Sequence, residues 1–238
     1  MRKISFIAII FIITFLLSSC SAILGEREIA VADIDIIEQY DTPTINQESD
    51  IDSLNEDSSN AIADRDNSSA ELTTLFAGTF TVGIDIPPGR YVITSDGSGI
   101  VAVFNGGRSV FAEILNPDAI PTNHGVPSAT IDVEEGQEIR IEHINNVIFT
   151  PATTQISNVL TAGDWVVGLD ILPGTYNVSP TYENNSGHFV VFSAQNPNRS
   201  VVNEILGGSH GVERIRVNLE VGQRIQMHNI SSVTFEQP

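Results

Sequence analysis

The stretch VGIDIPPGRY at Val82–Tyr91 recurs as VGLDILPGTY at Val167–Tyr176, with seven of the ten positions identical. The repeated residues are turn formers and core formers rather than reactive groups. A second block, RSVFAEIL at Arg108–Leu115, recurs in the same order as RSVVNEIL at Arg199–Leu206. The length differences between the copies fall between the matching blocks, as expected of loops. The chain therefore carries a duplicated segment.

Within each copy, short runs rich in Val, Ile, Phe and Tyr are bounded by Gly, Pro, Asn and Asp, which is the pattern of β-strands and turns. No stretch after residue 76 has a helical period. The sequence predicts an all-β fold made of two tandem homologous β-sandwich or jelly-roll-like modules at 76–152 and 160–238. In copy one the predicted strands are Thr79–Gly83, Arg90–Ser95, Ile100–Asn105, Ser109–Leu115, Ser128–Val133, Glu138–Ile144 and Val147–Thr150.

The repeated block itself is typical of a connection between strands. Pro88-Gly89 and Pro173-Gly174 suit the two central positions of a type II turn, where proline presets φ and glycine accepts φ > 0. Asp85 and Asp170 can accept hydrogen bonds from nearby backbone amides. We therefore expect a structural role for the block.

The pattern V-G-x-D-I-x-P-G-x-Y, present in both copies, resembles repeat modules of bacterial surface lipoproteins. The resemblance covers about two thirds of the chain. It implies a β-rich fold and a location in the cell envelope, and it carries no known activity.

The first twenty residues predict a lipid anchor. Arg2 and Lys3 precede an apolar run that ends at Leu17, which is the layout of a secretory signal and is shorter than a membrane-spanning helix. Leu17-Ser18-Ser19-Cys20 resembles a lipobox, in which the cysteine is acylated and becomes the new first residue. Cys20 is the only cysteine of the chain, so an internal disulfide is excluded. We expect residues 1–20 to be a lipoprotein signal peptide.

Residues 21–75 differ in composition from the two copies. Between Glu26 and Glu71 there are fourteen Asp or Glu residues, against Arg27 and Arg65 alone. High net charge with few apolar residues favours disorder, so this segment is predicted to be a disordered acidic tether.

Two glutamates recur in apolar strands. Glu113 and Glu204 each share a face with large apolar residues, and a carboxylate on a buried face would have a raised pKa, as catalytic acids do. The plainer interpretation is an acid on an edge strand that discourages aggregation or bonds to a neighbouring strand.

Other candidate binding residues are weaker. His124 and His210 recur in a loop, but neither has a second ligand beside it in the sequence, so no metal site is predicted. Tyr182, in a loop rich in Asn, is a candidate contact for a sugar. No motif for a cofactor, phosphate or nucleophilic catalysis is present, so no cofactor and no catalytic residue are predicted.

The charge of the chain excludes some partners. Residues 76–238 hold seven Arg and sixteen Asp or Glu, and the formal net charge of the whole chain is -19. Such a field repels nucleic acids and other polyanions.

The sequence thus favours a protein that is held at an extracytoplasmic bacterial membrane through lipidated Cys20. We expect a non-enzymatic binding or spacer module with a polymer or protein partner in the envelope. Two alternatives remain open: recognition of a glycan or solute, and a hydrolase that uses Glu113 or Glu204 as general acid.

Overall fold

The computed structural model describes residues 64–122, 124–182 and 185–238, with the backbone alone at 121 and 122. The predicted signal peptide, Cys20 and most of the predicted tether lie outside the described residues. The described part is all-β, as predicted, with fourteen strands and a single helical turn, Ala119–Thr122. Alternation of apolar and polar residues with frequent Gly, Pro and Asn accounts for strands of this length.

The strands follow the two sequence copies. In copy one they are β1 (Thr73–Leu75), β2 (Gly78–Thr81), β3 (Gly89–Ser95), β4 (Gly99–Asn105), β5 (Arg108–Leu115), β6 (Ser128–Val133), β7 (Glu138–Glu142) and β8 (Val147–Pro151). In copy two they are β9 (Val159–Val166), β10 (Gly174–Pro180), β11 (Ser186–Phe192), β12 (Ser200–Gly207), β13 (Ile215–Leu219) and β14 (Arg224–Glu236). All seven strands predicted for copy one are present, and β1 is an addition.

The strand pairings of the two copies match in register. Gly89 pairs with Val133 in copy one, and the corresponding Gly174 pairs with Leu219 in copy two. The long strands β9 and β14 of copy two correspond to β1 with β2 and to β7 with β8, which are interrupted in copy one. The same local sequence therefore produces the same local pairing twice.

The fold is a β-sandwich with open sheets. In copy one, strands in the order β1-β8-β3-β6 face a four-stranded sheet in the order β2-β7-β4-β5. Side chains from both sheets share one hydrophobic cluster that includes Tyr91 and Phe149, in edge-to-face contact at 5.9 Å. A second cluster in copy two includes Tyr176 and Phe235, in the same arrangement at 5.8 Å. Burial of these apolar faces is the main stabilising term.

One pair of parallel strands joins the copies. Ala129 and Thr130 of β6 pair with Ala162 and Gly163 of β9, which makes a ten-stranded sheet that runs through both copies. All described residues fall in one compact unit. The division at 76–152 and 160–238 into two modules stays a prediction.

The predicted tether, residues 21–75, extends too far, because its last twelve residues belong to the fold. Residues 64–75 are ordered: β1 pairs with β8, and Leu75 is buried. Asn67 donates from Nδ2 to the carbonyl oxygens of Arg90 and Ala152, and its Oδ1 accepts from the Arg90 amide. Composition misses this segment because specific hydrogen bonds, rather than apolar area, hold most of it.

The predicted type II turn is also wrong. Gly89 has a φ of 155° and begins β3, whereas a type II turn requires about 80° at that position. The chain turns earlier, at residues 83–85, where the amides of Ile84 and Asp85 both donate to the Thr81 carbonyl oxygen. Pro88 and Gly89 instead lead directly into β3.

A substitution at Gly163 tests the β6–β9 pairing that joins the copies. Gly163 has a φ of 129°, and a Cβ there would collide with the Thr130 carbonyl oxygen across the β6–β9 pairing. At the matching position in copy one, a Cβ on Gly78 would meet only the Phe80 ring, at 3.5 Å. We expect Gly163→Ala to lower the free energy of unfolding by about 2 kcal/mol, the usual cost of a forced backbone shift.

Gly78→Ala is the matched control and should cost clearly less in the same urea titration. Equal losses for the two variants would contradict the close approach of β6 and β9.

Candidate functional site

The repeated block forms the same local structure in both copies. Asp85 accepts a hydrogen bond from the Thr81 amide at 2.7 Å, and Asp170 accepts one from the Val166 amide at 2.8 Å. The Tyr91 hydroxyl donates to the Pro87 carbonyl oxygen at 2.9 Å, and the hydroxyl of Tyr176 makes the matching bond to Leu172. These bonds fix the loop between two strands, so the shared residues of the block are structural.

The environments of the two aspartates nevertheless differ. Asp85 is exposed, whereas only 1% of Asp170 is accessible because it lies at the junction of the copies. Arg90 of copy one, itself 1% exposed, places Nη2 at 3.4 Å from Asp170 Oδ1. The residue of copy two that matches Arg90 is Thr175. The charged residue is therefore present only in the copy whose strand faces the other copy.

Arg90 is held by three further contacts. Its Nη1 donates to Asp132 Oδ2 at 2.8 Å and to the Asp164 carbonyl oxygen at 3.2 Å. Its guanidinium carbon lies 4.7 Å from the centre of the Trp165 ring, which is a cation–π contact. Arg90 and Asp132 pair across β3 and β6, and the matching pair in copy two is the uncharged Thr175 and Asn218.

Arg65 completes the cluster from the N-terminal side. Its Nη1 and Nη2 donate to the two carboxylate oxygens of Asp170 at 3.0 and 3.1 Å. Its Nε lies 3.1 Å from Asp132 Oδ1, and Nη1 also donates to Thr154. Arg65, Asp132, Arg90 and Asp170 thus alternate in sign around a closed set, which we call the junction cluster.

The junction cluster balances two positive charges against two negative ones. Burial lowers the pKa of Arg90, and the carboxylates of Asp132 and Asp170 act in the opposite direction. An arginine remains charged in such a setting, because its ordinary pKa lies far above neutral pH. Removal of the buried Asp170 carboxylate would leave Arg65 and Arg90 with only the partly exposed Asp132 between them. Breaking a buried ion pair in this way costs about 3–5 kcal/mol. The cluster therefore ties the N-terminal segment and both copies together.

Glu113 makes a second contact between the copies. Its Oε2 accepts from the Asn229 amide of copy two at 2.8 Å, and its Oε1 accepts from the Ile114 amide at 2.9 Å. Its side chain is buried, as its shared face with Phe111 and Leu115 predicts. Burial raises the pKa of Glu113 to about 7, against the two amide bonds, which lower it.

His228 lies beside this carboxylate. Its Nδ1 is 3.8 Å from Glu113 Oε2, and its ring packs on Phe111 with centroids 5.6 Å apart. Burial lowers the pKa of His228, and the charge of His188 on the neighbouring strand β11 lowers it further. The imidazole is thus held in its neutral form beside Glu113.

Glu204 occupies the position of copy two that matches Glu113, since it pairs with Phe189 as Glu113 pairs with Val101, but its environment differs. It is exposed on β12, which pairs only with β11, so it occupies the surface of an edge strand. It lines a shallow groove of about 400 Å³ together with His188, Asn203 and His210. The structure therefore brings together two predicted candidates, Glu204 and His210, and keeps Glu113 away from this groove.

The other predicted residues are separate. His124 is exposed, and its carbonyl oxygen accepts from Asn116 Nδ2. Tyr182 is 45% exposed in the loop after β10 and lies outside the groove of Glu204. Among the described residues, no group of three or more His, Cys, Asp or Glu is placed to hold a metal ion.

A cleft of about 360 Å³ lies between the copies. Copy one contributes the tip of the β4–β5 hairpin, with Asn105, Arg108 and Ser109, and copy two contributes Asn198 and Arg224. Neither Glu113 nor Glu204 lines it.

Sequence reasoning missed the junction cluster altogether. Its signal was present: Arg65 is one of two arginines in an acidic segment, and Arg90 and Asp132 stand where copy two has Thr175 and Asn218. The charges of Arg90 and Asp132 thus mark a surface of copy one that copy two does not share.

Comparisons with protein-family models, with curated proteins and with solved structures found no match for this chain. Within the described part of the chain, no helix is long and apolar enough to cross a membrane.

The pKa of Glu113 predicts how stability depends on pH. Because the pKa rises from an ordinary 4.5 to about 7 on folding, the folded state favours the protonated acid. Its stabilising contribution is complete below pH 4.5 and is lost as the pH rises through 7. The difference between the pKa values of Glu113 in the unfolded and folded states corresponds to about 3 kcal/mol of the free energy of unfolding.

We therefore expect the free energy of unfolding to fall between pH 5 and pH 8 in the wild type, with a clearly shallower fall in Glu113→Gln. Burial also raises the pKa of Asp164, to about 6, so that part of the fall persists in the variant. The lowered pKa of His228 has the opposite effect below its ordinary value of 6.5, in both proteins, so the comparison of the two slopes isolates Glu113. Urea titrations at several pH values measure both slopes. Identical slopes for the two proteins would show that Glu113 does not titrate in this range.

Proposed function

We propose that this protein is a lipid-anchored extracytoplasmic protein whose two copies act together as a non-enzymatic binding or spacer body of a bacterial cell envelope. The sequence at Leu17–Cys20 supports the anchor, since it resembles a lipobox. Two or more acyl chains hold a protein firmly at a membrane, because each buried methylene contributes about 0.8 kcal/mol.

The contact of Arg65 with both copies carries the proposal. Its guanidinium bonds to Asp132 of copy one and to Asp170 of copy two, so the segment that leads from the anchor is fastened at the junction. Because the two copies are joined and Arg65 contacts both, the anchored protein would present the copies in a fixed relation to each other. That is the requirement of a spacer or of a binding surface shared by two copies.

The geometry of Glu113 gives no support to the hydrolase alternative. A general acid must reach a substrate, whereas both oxygens of this carboxylate accept backbone amides within the protein. The other alternative, recognition of a glycan or solute, is favoured by the cleft between the copies.

Replacement of Cys20 tests the anchor. In the producing cell, the wild type should incorporate a labelled fatty acid and sediment with membranes, whereas Cys20→Ser should do neither, because serine cannot form the thioether. Thr42→Ala, a conservative change in the predicted tether, is the control and should behave like the wild type.

The binding role is tested by co-sedimentation of the wild type with cell-wall preparations and by cross-linking in intact cells. Recovery of an envelope polymer or protein with the wild type is the expected result. In the fatty-acid labelling experiment, a wild type that carries no label, or a Cys20→Ser variant that stays in the membrane fraction, would contradict the anchor. A wild type that recovers no partner would contradict the binding role.

A further inference from the structure

The cleft between the copies, defined above by Asn105, Arg108, Ser109, Asn198 and Arg224, is positively charged. Two of the residues that line it are arginines, and no Asp or Glu among the described residues lines it. This is unusual in a chain with a formal net charge of -19. The arrangement places one arginine of each copy at one concave place.

Neither arginine of the cleft is fully neutralised. Arg108 is exposed at the tip of the β4–β5 hairpin, and it makes no ion pair with any described residue. Arg224 packs over the Phe192 ring, with its guanidinium carbon 4.8 Å from the ring centre. Its Nε is buried and makes no hydrogen bond within the described part of the chain, and the nearest carboxylate oxygen, Asp164 Oδ1, is 3.9 Å away.

The duplication shows that this pair of arginines belongs to the junction. Arg199 of copy two matches Arg108 in sequence and is exposed, yet it is absent from the lining of the cleft. The residue of copy one that matches Arg224 is Glu138, which bonds to Arg140 on its own strand. Arg108 and Arg224 thus line one cleft where the copies meet, and their counterparts Arg199 and Glu138 do not line it.

We propose that this cleft binds the carboxylate group of a small monoanionic solute, of the class of sugar acids and hydroxy acids. Guanidinium groups recognise carboxylates through parallel hydrogen bonds. Asn105, Ser109 and Asn198 supply donors and acceptors for neighbouring hydroxyl groups. The volume suits a single small molecule.

The net charge of the whole protein limits the charge that the ligand can carry. A field set by many carboxylates repels a dianion or a polyanion more strongly than a monoanion. A monoanion with hydroxyl groups therefore fits both the local and the overall charge. This inference deepens the alternative binding role, recognition of a solute, and is independent of the lipid anchor.

Calorimetry with the full chain in detergent tests the proposal, with sodium glucuronate, glucose and inorganic phosphate as probes at constant ionic strength. We expect saturable binding of glucuronate, weaker binding of phosphate and none of glucose. Arg108→Gln should weaken glucuronate binding about tenfold through loss of a charge-assisted hydrogen bond. Arg199→Gln, the matched exposed arginine of copy two, should bind like the wild type.

A thermal unfolding curve establishes that each variant is folded, and Asn105→Ala offers a second variant, with an expected loss of several-fold. Absence of saturable glucuronate binding, equal binding of glucose, tighter binding of phosphate, or equal losses in Arg108→Gln and Arg199→Gln would each overturn the assignment. If the wild type still sediments with cell wall, the envelope role stands while the carboxylate site fails.

Discussion

Asp170 is the residue around which the two copies are joined. Its carboxylate accepts hydrogen bonds from both terminal nitrogens of Arg65 and from the Val166 amide of its own loop, and it lies 3.4 Å from Arg90 of the other copy. Since it is almost fully buried, its charge requires these partners. The N-terminal segment, copy one and copy two therefore depend on each other for the same charge balance.

Duplication followed by local divergence explains how this joint arises. The loop aspartate has the same backbone role in both copies, so either one could serve as a buried anion. Copy one carries Arg90 and Asp132 on the paired strands β3 and β6, whereas copy two carries Thr175 and Asn218 at the matching places. The parallel pairing of β6 with β9 brings the charged pair to Asp170 and leaves Asp85 in solvent. A duplicated fold thereby acquires a contact that one copy makes and the other does not.

Much of the fold could be predicted from the sequence, because alternation and turn residues act locally. The seven strands of copy one were predicted on this basis, and the matching blocks of copy two imply the same pairings. The ordered segment at 64–75 was missed because it is held by Asn67 and Arg65, which an acidic and polar composition conceals. The different burial of Glu113 and Glu204 was missed because it depends on which edge strand meets the other copy. Contacts between copies require the structure.

A comparison of two aspartates by chemical denaturation tests the central claim most directly. Asp170→Asn and Asp85→Asn make the same chemical change at matching places in the two copies, and both keep an oxygen that can accept the local backbone amide. If the junction cluster joins the copies, Asp170→Asn lowers the free energy of unfolding by about 3 kcal/mol or more, and Asp85→Asn by less than about 1 kcal/mol. Losses of equal size would contradict the account.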